Sequence, residues 1–284
     1  MNNEFGFNIN LKNSPDEIRA LGEKYLSSGL FSAIEVTYYE NLEEIDTFEY
    51  NKAIKEICDL YHPVVFVHII EVMPSEQNTV IRSAILSEIE NCLRYTRWLG
   101  GEHMVIHAGR QYGNLHAPIV RPDGSRGTSE DSYKVTFALS VDMMKKACFL
   151  GKKYGVALYT ENLAAPSFTQ TSRILLDYIE AVGFDNLKIV FDVGHCHHTG
   201  HDVVSEVREA SPLLAHLHIH DNDGVKDLHQ SLGEGNLDVK EFVQVLEEVN
   251  YSGLLMFELY RCTVDNLARN RQLLIDNMKE KPAR

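Results

Sequence analysis

The feature that most constrains this chain is a regular alternation. Eight times over, a short β-rich apolar run is followed by a longer segment with helical periodicity, the rhythm of βα units around a parallel sheet. The strand candidates are 5–9, 33–38, 64–70, 103–107, 156–161, 188–192, 214–218 and 254–258. Helical stretches are expected at 14–27, 48–61, 78–99, 132–154, 172–181, 203–210, 239–249 and 264–278. Ser14-Pro15-Asp16-Glu17 and Asp238 read as helix starts, while Gly29, Gly100, Gly155 and Gly183 stand where helices should stop. Eight strands and eight helices in alternation predict an α/β fold, a closed (β/α)₈ barrel. The competing architecture, an open doubly wound sheet, usually carries a Gly-rich first turn, and GFNINLK has none. With no linker or internal repeat, residues 1–284 are expected to form one barrel domain. A Gly/Pro/Arg-bearing insertion, 110–131, follows strand four.

Composition removes several functional classes. The formal net charge of −14 opposes indiscriminate contact with nucleic acid. Cys58, Cys92, Cys148, Cys196 and Cys262 are odd in number, scattered and without a CxxC pair. That pattern reads as reduced thiols in a cytoplasmic protein. The polar, acidic N-terminus lacks a signal-peptide core, and no apolar run approaches the roughly 18 residues of a membrane span.

Ionisable residues collect at the C-terminal ends of the strand candidates, where barrel enzymes place their chemistry. Strand three ends in FVHII with His68 and strand four in VIHAG with His107. Strand five ends in LYTEN, six in FDVGH, seven in HLHIHD and eight in MFELY, and DLHQSLGEGNLD lies between the last two. Burying an unpaired carboxylate costs several kcal/mol, so Glu161 and Glu258 should be paired or bound to a cation. A lone histidine at a strand end is usually structural, and Asp192 and His195, spaced D-x-x-H, would serve equally as a hydrogen-bonded pair. His216, His218 and His220 alternate and so share one face of strand seven, with one of them expected as a ligand. Asp227 and His229 could be ordinary loop residues. Together, however, six of eight strand ends carry metal-competent groups. Imidazole and carboxylate without thiolate suit Mn²⁺ or Zn²⁺, with Co²⁺ and Fe²⁺ also compatible. Cys196, beside His195, should point elsewhere.

TEN, FDVGH, HLHIHD, DLHQSLGEGNLD and FEL, in this order, resemble the xylose-isomerase-like TIM-barrel superfamily, most strongly from Val156 to Glu258. That group holds sugar and sugar-phosphate isomerases and epimerases and the endonuclease IV type of abasic-site nuclease. The epimerase branch implies one divalent ion held by Glu161, Asp192, His218 and Glu258. Glu161 and Glu258 would double as the proton-transferring pair, with His195 on a substrate oxygen. The nuclease branch implies two or three zinc ions, for which His68, His107, His195, Asp227 and His229 are further candidate ligands. The family also implies a homo-oligomer as one expected assembly.

The surroundings favour a sugar or polyol over DNA. The segment after strand two, YYENLEEIDTFEY, is acidic at Glu40, Glu43, Glu44 and Asp46, and Glu71 follows strand three. Such a mouth repels phosphate backbones. Tyr38 and Tyr39 would line a sugar pocket or pack on a helix more often than wedge a duplex. The 110–131 insertion carries Arg110, His116, Arg121 and Arg126 and is a candidate lid, equally well read as a solvated loop. Arg110, Arg121, His229 and Arg261 are the candidate substrate contacts. The expected function is a metal-dependent sugar isomerase or epimerase. The alternative is a multi-zinc phosphodiesterase acting on abasic DNA. A barrel that keeps the cation only for binding is disfavoured by the presence of both glutamates.

Overall fold

The computed structural model describes residues 3–39, 47–70, 72–110, 124–125 and 127–279. Eight parallel strands close into a barrel in chain order: β1 (Phe5–Ile9), β2 (Ala33–Thr37), β3 (Val64–Ile69), β4 (His103–Ile106), β5 (Ala157–Glu161), β6 (Leu187–Asp192), β7 (Leu214–Ile219) and β8 (Leu254–Phe257). Closure comes from β1 against β8, with Phe5 opposite Leu255 and Phe7 opposite Phe257. The helices are α1 (Pro15–Leu21), α2 (Phe48–Tyr61), α3 (Thr79–Trp98), α4 (Ser129–Tyr154), α5 (Ser172–Val182), α6 (Val193–His198), α7 (Val203–Ala210), α8 (Val239–Glu248) and α9 (Val264–Lys279).

The strand alternation sorts side chains into two compartments. One set, including Phe7, Ile34, Val67, Met104, Leu158, Phe191, Leu217 and Phe257, packs outward in the main core that also holds the helices' apolar faces. The other set lines the axis. At its base Ala33, Phe66, Val105, Tyr159, Val190 and Met256 form a separate apolar plug. One step further along the same strands, the inward residues turn polar: Glu35, His68, Glu161, Asp192 and His218, all nearly inaccessible to solvent. The barrel is therefore stoppered with hydrocarbon below and packed with ionisable groups above.

The structure departs from the sequence expectations at three places. The ladders of β4 and β8 stop before His107 and Glu258. There the chain leaves the sheet to build the mouth, although the Glu258 N–H still donates to Ile219 O (3.1 Å). A short helix, α6, follows β6 ahead of α7, so helices and strands do not alternate one for one. VGHCHH has little helical periodicity; what starts the turn is Asp192, whose side chain accepts the His195 N–H as N-cap. Finally, α4 begins at Ser129 with a Thr128/Asp131 capping box, so 129–131 of the candidate lid are its first turn. Most of the insertion, including His116, Arg121 and Arg126, lies outside the described residues, as do Glu40, Glu43, Glu44, Asp46 and Glu71. The Ser14–Glu17 capping box is present, but α1 gives way at Leu21 to a wider turn, Gly22–Leu26.

Candidate metal centre

The inward residues at the strand ends converge on His218. Its Nδ1 lies 2.9 Å from Glu258 Oε2, 3.2 Å from Glu161 Oε2 and 3.8 Å from Asp192 Oδ2. One donor atom from each of these four residues lies within 4.8 Å of the others. Three carboxylates around one imidazole nitrogen are an excess of negative charge taken out of water. Moreover, Glu161 Oε1, Asp192 Oδ2 and Glu258 Oε2 are buried without a hydrogen-bond partner. Glu161 Oε1 is only 2.7 Å from His107 Nε2, but misaligned for a hydrogen bond. Ligand bonds of about 2.0–2.2 Å place neighbouring donors roughly 3–4.4 Å apart, so this set fits a divalent cation with little contraction. Burial alone would raise the carboxyl of Glu161, but the imidazoles of His107, His218 and His68 outweigh it and hold the group well below the usual range. The same opposition, with His218 foremost among the imidazoles, holds Glu258 low. Conversely, His218 is held well above an ordinary histidine, since Glu258, Glu35 and Glu161 overcome its burial.

Among the described residues three further donor groups overlap or abut this one, and the first joins Glu35 and His68 to His218 and Glu258. His68 Nε2 and His107 Nε2 approach to 3.0 Å, and both lie beside Glu161 Oε1 (3.4 and 2.7 Å). On the opposite flank Asp227 stands between two imidazoles, with Oδ2 3.3 Å from His195 Nε2 and Oδ1 3.3 Å from His229 Nε2. Each of those rings donates its Nδ1–H to a backbone carbonyl, His195 to Asn162 O (3.0 Å) and His229 to Glu258 O (2.8 Å). That backing orients Nε2, the usual second support of a ligating histidine. Burial would depress both rings, but carboxylates raise them, His195 to about 10 through Asp192 and Asp227, and His229 to about 9 through Asp227 and Glu258. His229 also adopts a left-handed backbone (φ 46°), a conformation uncommon outside glycine.

The loop that delivers Asp227 and His229 is organised by Asp221, which is fully buried. Its Oδ1 accepts the N–H groups of Asn222 (2.8 Å) and Leu237 (3.0 Å), and its Oδ2 those of Gly233 (2.9 Å) and Gly235 (3.1 Å). Gly235 is required there, because a Cβ would stand 2.4 Å from Asp221 Oδ1 and 2.1 Å from Asn222 O. Gly194 in FDVGH has a similar reason: its Cβ would sit 2.0 Å from the His220 ring. Above the ligand cluster opens a cavity of about 700 Å³, walled by residues including Asn8, Lys12, Tyr39, His107, Arg110 and Tyr260.

A sequence model of the xylose isomerase-like TIM barrel matches residues 23–279. The chain belongs to that family. An uncharacterized protein of Methanocaldococcus jannaschii is 25% identical over 218 residues, covering 73% of this chain and 68% of the relative. The L-ribulose 3-epimerase of Mesorhizobium japonicum is 28% identical over 194 residues, 64% of this chain and 58% of the enzyme. The alignment thus spans less than two thirds of the named enzyme's length. Among solved structures, a D-tagatose 3-epimerase-like protein superposes with a TM-score of 0.77 at 20% identity, covering 97% of each chain, a likeness of fold.

Against this xylose isomerase-like barrel, the residues singled out in the sequence can be placed one by one. Glu161, Asp192, His218 and Glu258 come together, and His68, His107, His195, Asp227 and His229 surround them. Arg110 lines the cavity, whereas Arg261 is absent from its wall and pairs with Glu17. Tyr39 lines the cavity and packs on Tyr50, while Tyr38 is buried against Tyr95. Of the three alternating histidines, His216 and His218 lie in β7 and His220 just past its end, and they divide the work. His216 lies over Phe66 at the plug, His218 sits among the carboxylates, and His220 stacks on His229 with centroids 3.9 Å apart. Cys196 is buried with its sulfur toward His201 O (3.8 Å), away from the site, and all five cysteines are free. Sequence reasoning missed Glu35, which meets His218 Nε2 at 3.0 Å and His68 Nδ1 at 3.3 Å. The available signal was a glutamate inside an otherwise apolar strand, AIEVT.

Proposed function

We propose that this protein is a metal-dependent epimerase or isomerase of a sugar, sugar phosphate or related polyol. The observation that carries the reading is the convergence of Glu161 and Glu258 on His218 Nδ1, at 3.2 and 2.9 Å, with both glutamates lining a cavity large enough for a small carbohydrate. Glu161, Asp192, His218 and Glu258 would hold the ion, of which Mn²⁺, Zn²⁺, Co²⁺ and Fe²⁺ all suit the donor set. When bound, the cation polarises a substrate carbonyl or hydroxyl and acidifies the adjacent C–H. One glutamate then takes that proton and the other returns one to the opposite face, through an enediol-like substrate intermediate. His195 and His229, each supported at Nδ1 and lining the cavity, would orient substrate oxygens. Arg110 at the wall would meet an anionic substituent of the substrate.

The epimerase named among the relatives supports this reading at the level of reaction class. The decisive experiment incubates the Mn²⁺-loaded protein with a ketose panel in D₂O. Deuterium should appear at the carbon beside the carbonyl of a turned-over substrate. A panel that exchanges nowhere, with the ion bound, would overturn the assignment.

A second reading is favoured by one observation: four donor groups overlap or abut among the described residues, one of them backed by two backbone carbonyls. A two- or three-metal phosphoesterase would use such a site for in-line displacement. Metal analysis separates the two, one ion per chain supporting the epimerase and two or three the esterase. Cleavage of an abasic oligonucleotide tests the rival directly.

A further inference from the structure

Glu35 lies outside the Glu161–Asp192–His218–Glu258 set, although it adjoins His68, His218 and Glu258 and is among the most deeply buried charges in the molecule, at 1% exposure. It projects from the middle of β2, opposite Asn8 of β1 and Phe66 of β3, at the boundary between the polar cluster and the apolar plug. A carboxylate in that position is tolerated only if several donors face it. Three imidazoles do. Oε2 stands 3.0 Å from His218 Nε2 and 3.5 Å from His216 Nε2, and Oε1 stands 3.3 Å from His68 Nδ1.

The nitrogens involved are the informative detail. His218 meets Glu35 through Nε2 and the other three carboxylates through Nδ1. His68 is less committed: its Nδ1 lies near both Glu35 (3.3 Å) and Glu258 (3.5 Å) without a hydrogen bond to either, while Nε2 turns toward Glu161 and His107. A neutral imidazole carries one proton, and the group that accepts it decides which nitrogen keeps a lone pair. A carboxylate behind a histidine therefore fixes its tautomer, its orientation and its strength as a ligand.

We propose that Glu35 is a positioning residue that backs His218, imposing the Nε2–H tautomer on it. The inference rests on the metal-site reading above. The carboxylate thereby aims Nδ1 of His218 into the Glu161–Asp192–Glu258 group. It reaches the ring from the plug side, away from the cavity.

The test compares wild type with Glu35→Gln by calorimetric titration of Mn²⁺ into the metal-stripped proteins. The variant should bind the same number of ions about 10–100-fold more weakly, the usual effect of removing a ligand's outer partner. Equal affinity in the two proteins overturns the proposal. So does a loss of one ion per chain at saturation, the mark of a direct ligand. A second readout does not depend on the variant folding: ¹⁵N spectra of the histidine rings in Zn²⁺-loaded wild type. His218 should be protonated at Nε2 and bare at Nδ1, and a proton on Nδ1 with Nε2 bare would refute the idea. Failure of wild type to bind any Mn²⁺ would remove the metal reading itself, whereas tight wild-type binding matched by the variant removes only the role of Glu35.

Discussion

Replacing Asp221 by alanine deletes four hydrogen bonds from a loop that carries two of the candidate ligands. The cost follows from where the four donors lie. Asn222 and Leu237 are buried, so their N–H groups lose a partner that water cannot replace. Each such orphan costs about 1–3 kcal/mol. Gly233 is exposed and Gly235 half-buried, so their N–H groups can turn to solvent and contribute little. The sum is about 2–6 kcal/mol, large against the 5–15 kcal/mol by which native domains are stable. Asp221→Asn can keep its oxygen on Asn222 and Leu237 and turn its NH₂ toward Gly233 and Gly235, so most of that loss should be spared. The assay is equilibrium unfolding in urea, with the midpoint shift read at an unchanged slope. If Asp221→Ala is destabilised by less than about 1 kcal/mol, the buried-donor argument is wrong and the loop is held by something else.

Three other outcomes are expected. Adding Mn²⁺ at a hundred times its dissociation constant should stabilise the fold by about 2.7 kcal/mol, seen as a rise in melting temperature that EDTA reverses; no shift would contradict a native-state site. Glu161→Gln and Glu258→Gln should each lower turnover by about 10²–10⁴-fold, with circular dichroism unchanged, if the glutamates transfer the proton; near-normal turnover in either variant would exclude that residue. His216 is kept neutral chiefly by burial, which lowers it to about 4. The unfolded chain takes up a proton near pH 6.5 that the folded one refuses until about 4, so stability present above pH 6.5 should be lost as pH falls through that window. His216→Gln should flatten this part of the stability profile measured by denaturation across pH.

The barrel was legible in the sequence because each strand's outward residues are continuous with the helices' apolar faces. Phe7, Ile34, Val67 and Phe191 announce a strand by hydrophobicity alone. The site was legible where polar residues interrupt that pattern at a strand's end, as at Glu161, Asp192 and Glu258. Glu35 escaped notice because a single acid in the middle of AIEVT is what any half-exposed strand would show. Only closure of the sheet turns that alternate face inward. The α6 turn was hidden for a different reason: its start depends on a cap whose second oxygen faces the ligand cluster, so Asp192 reads as chemistry before it reads as structure. Likewise, the stack of His220 on His229 depends on the path of a loop that local periodicity does not encode.

The hydrocarbon stopper under the cluster has a consequence for traffic. Phe66, Val105, Tyr159, Val190 and Met256 close the axis from below, so among the described residues the cluster opens toward the cavity above it. On the proposed function, ion and carbohydrate would share that opening, and the one that sits deeper would arrive first and leave last. Order of loading would then follow from the architecture, with a substrate above Glu161 and Glu258 acting as the cork that keeps the ion in.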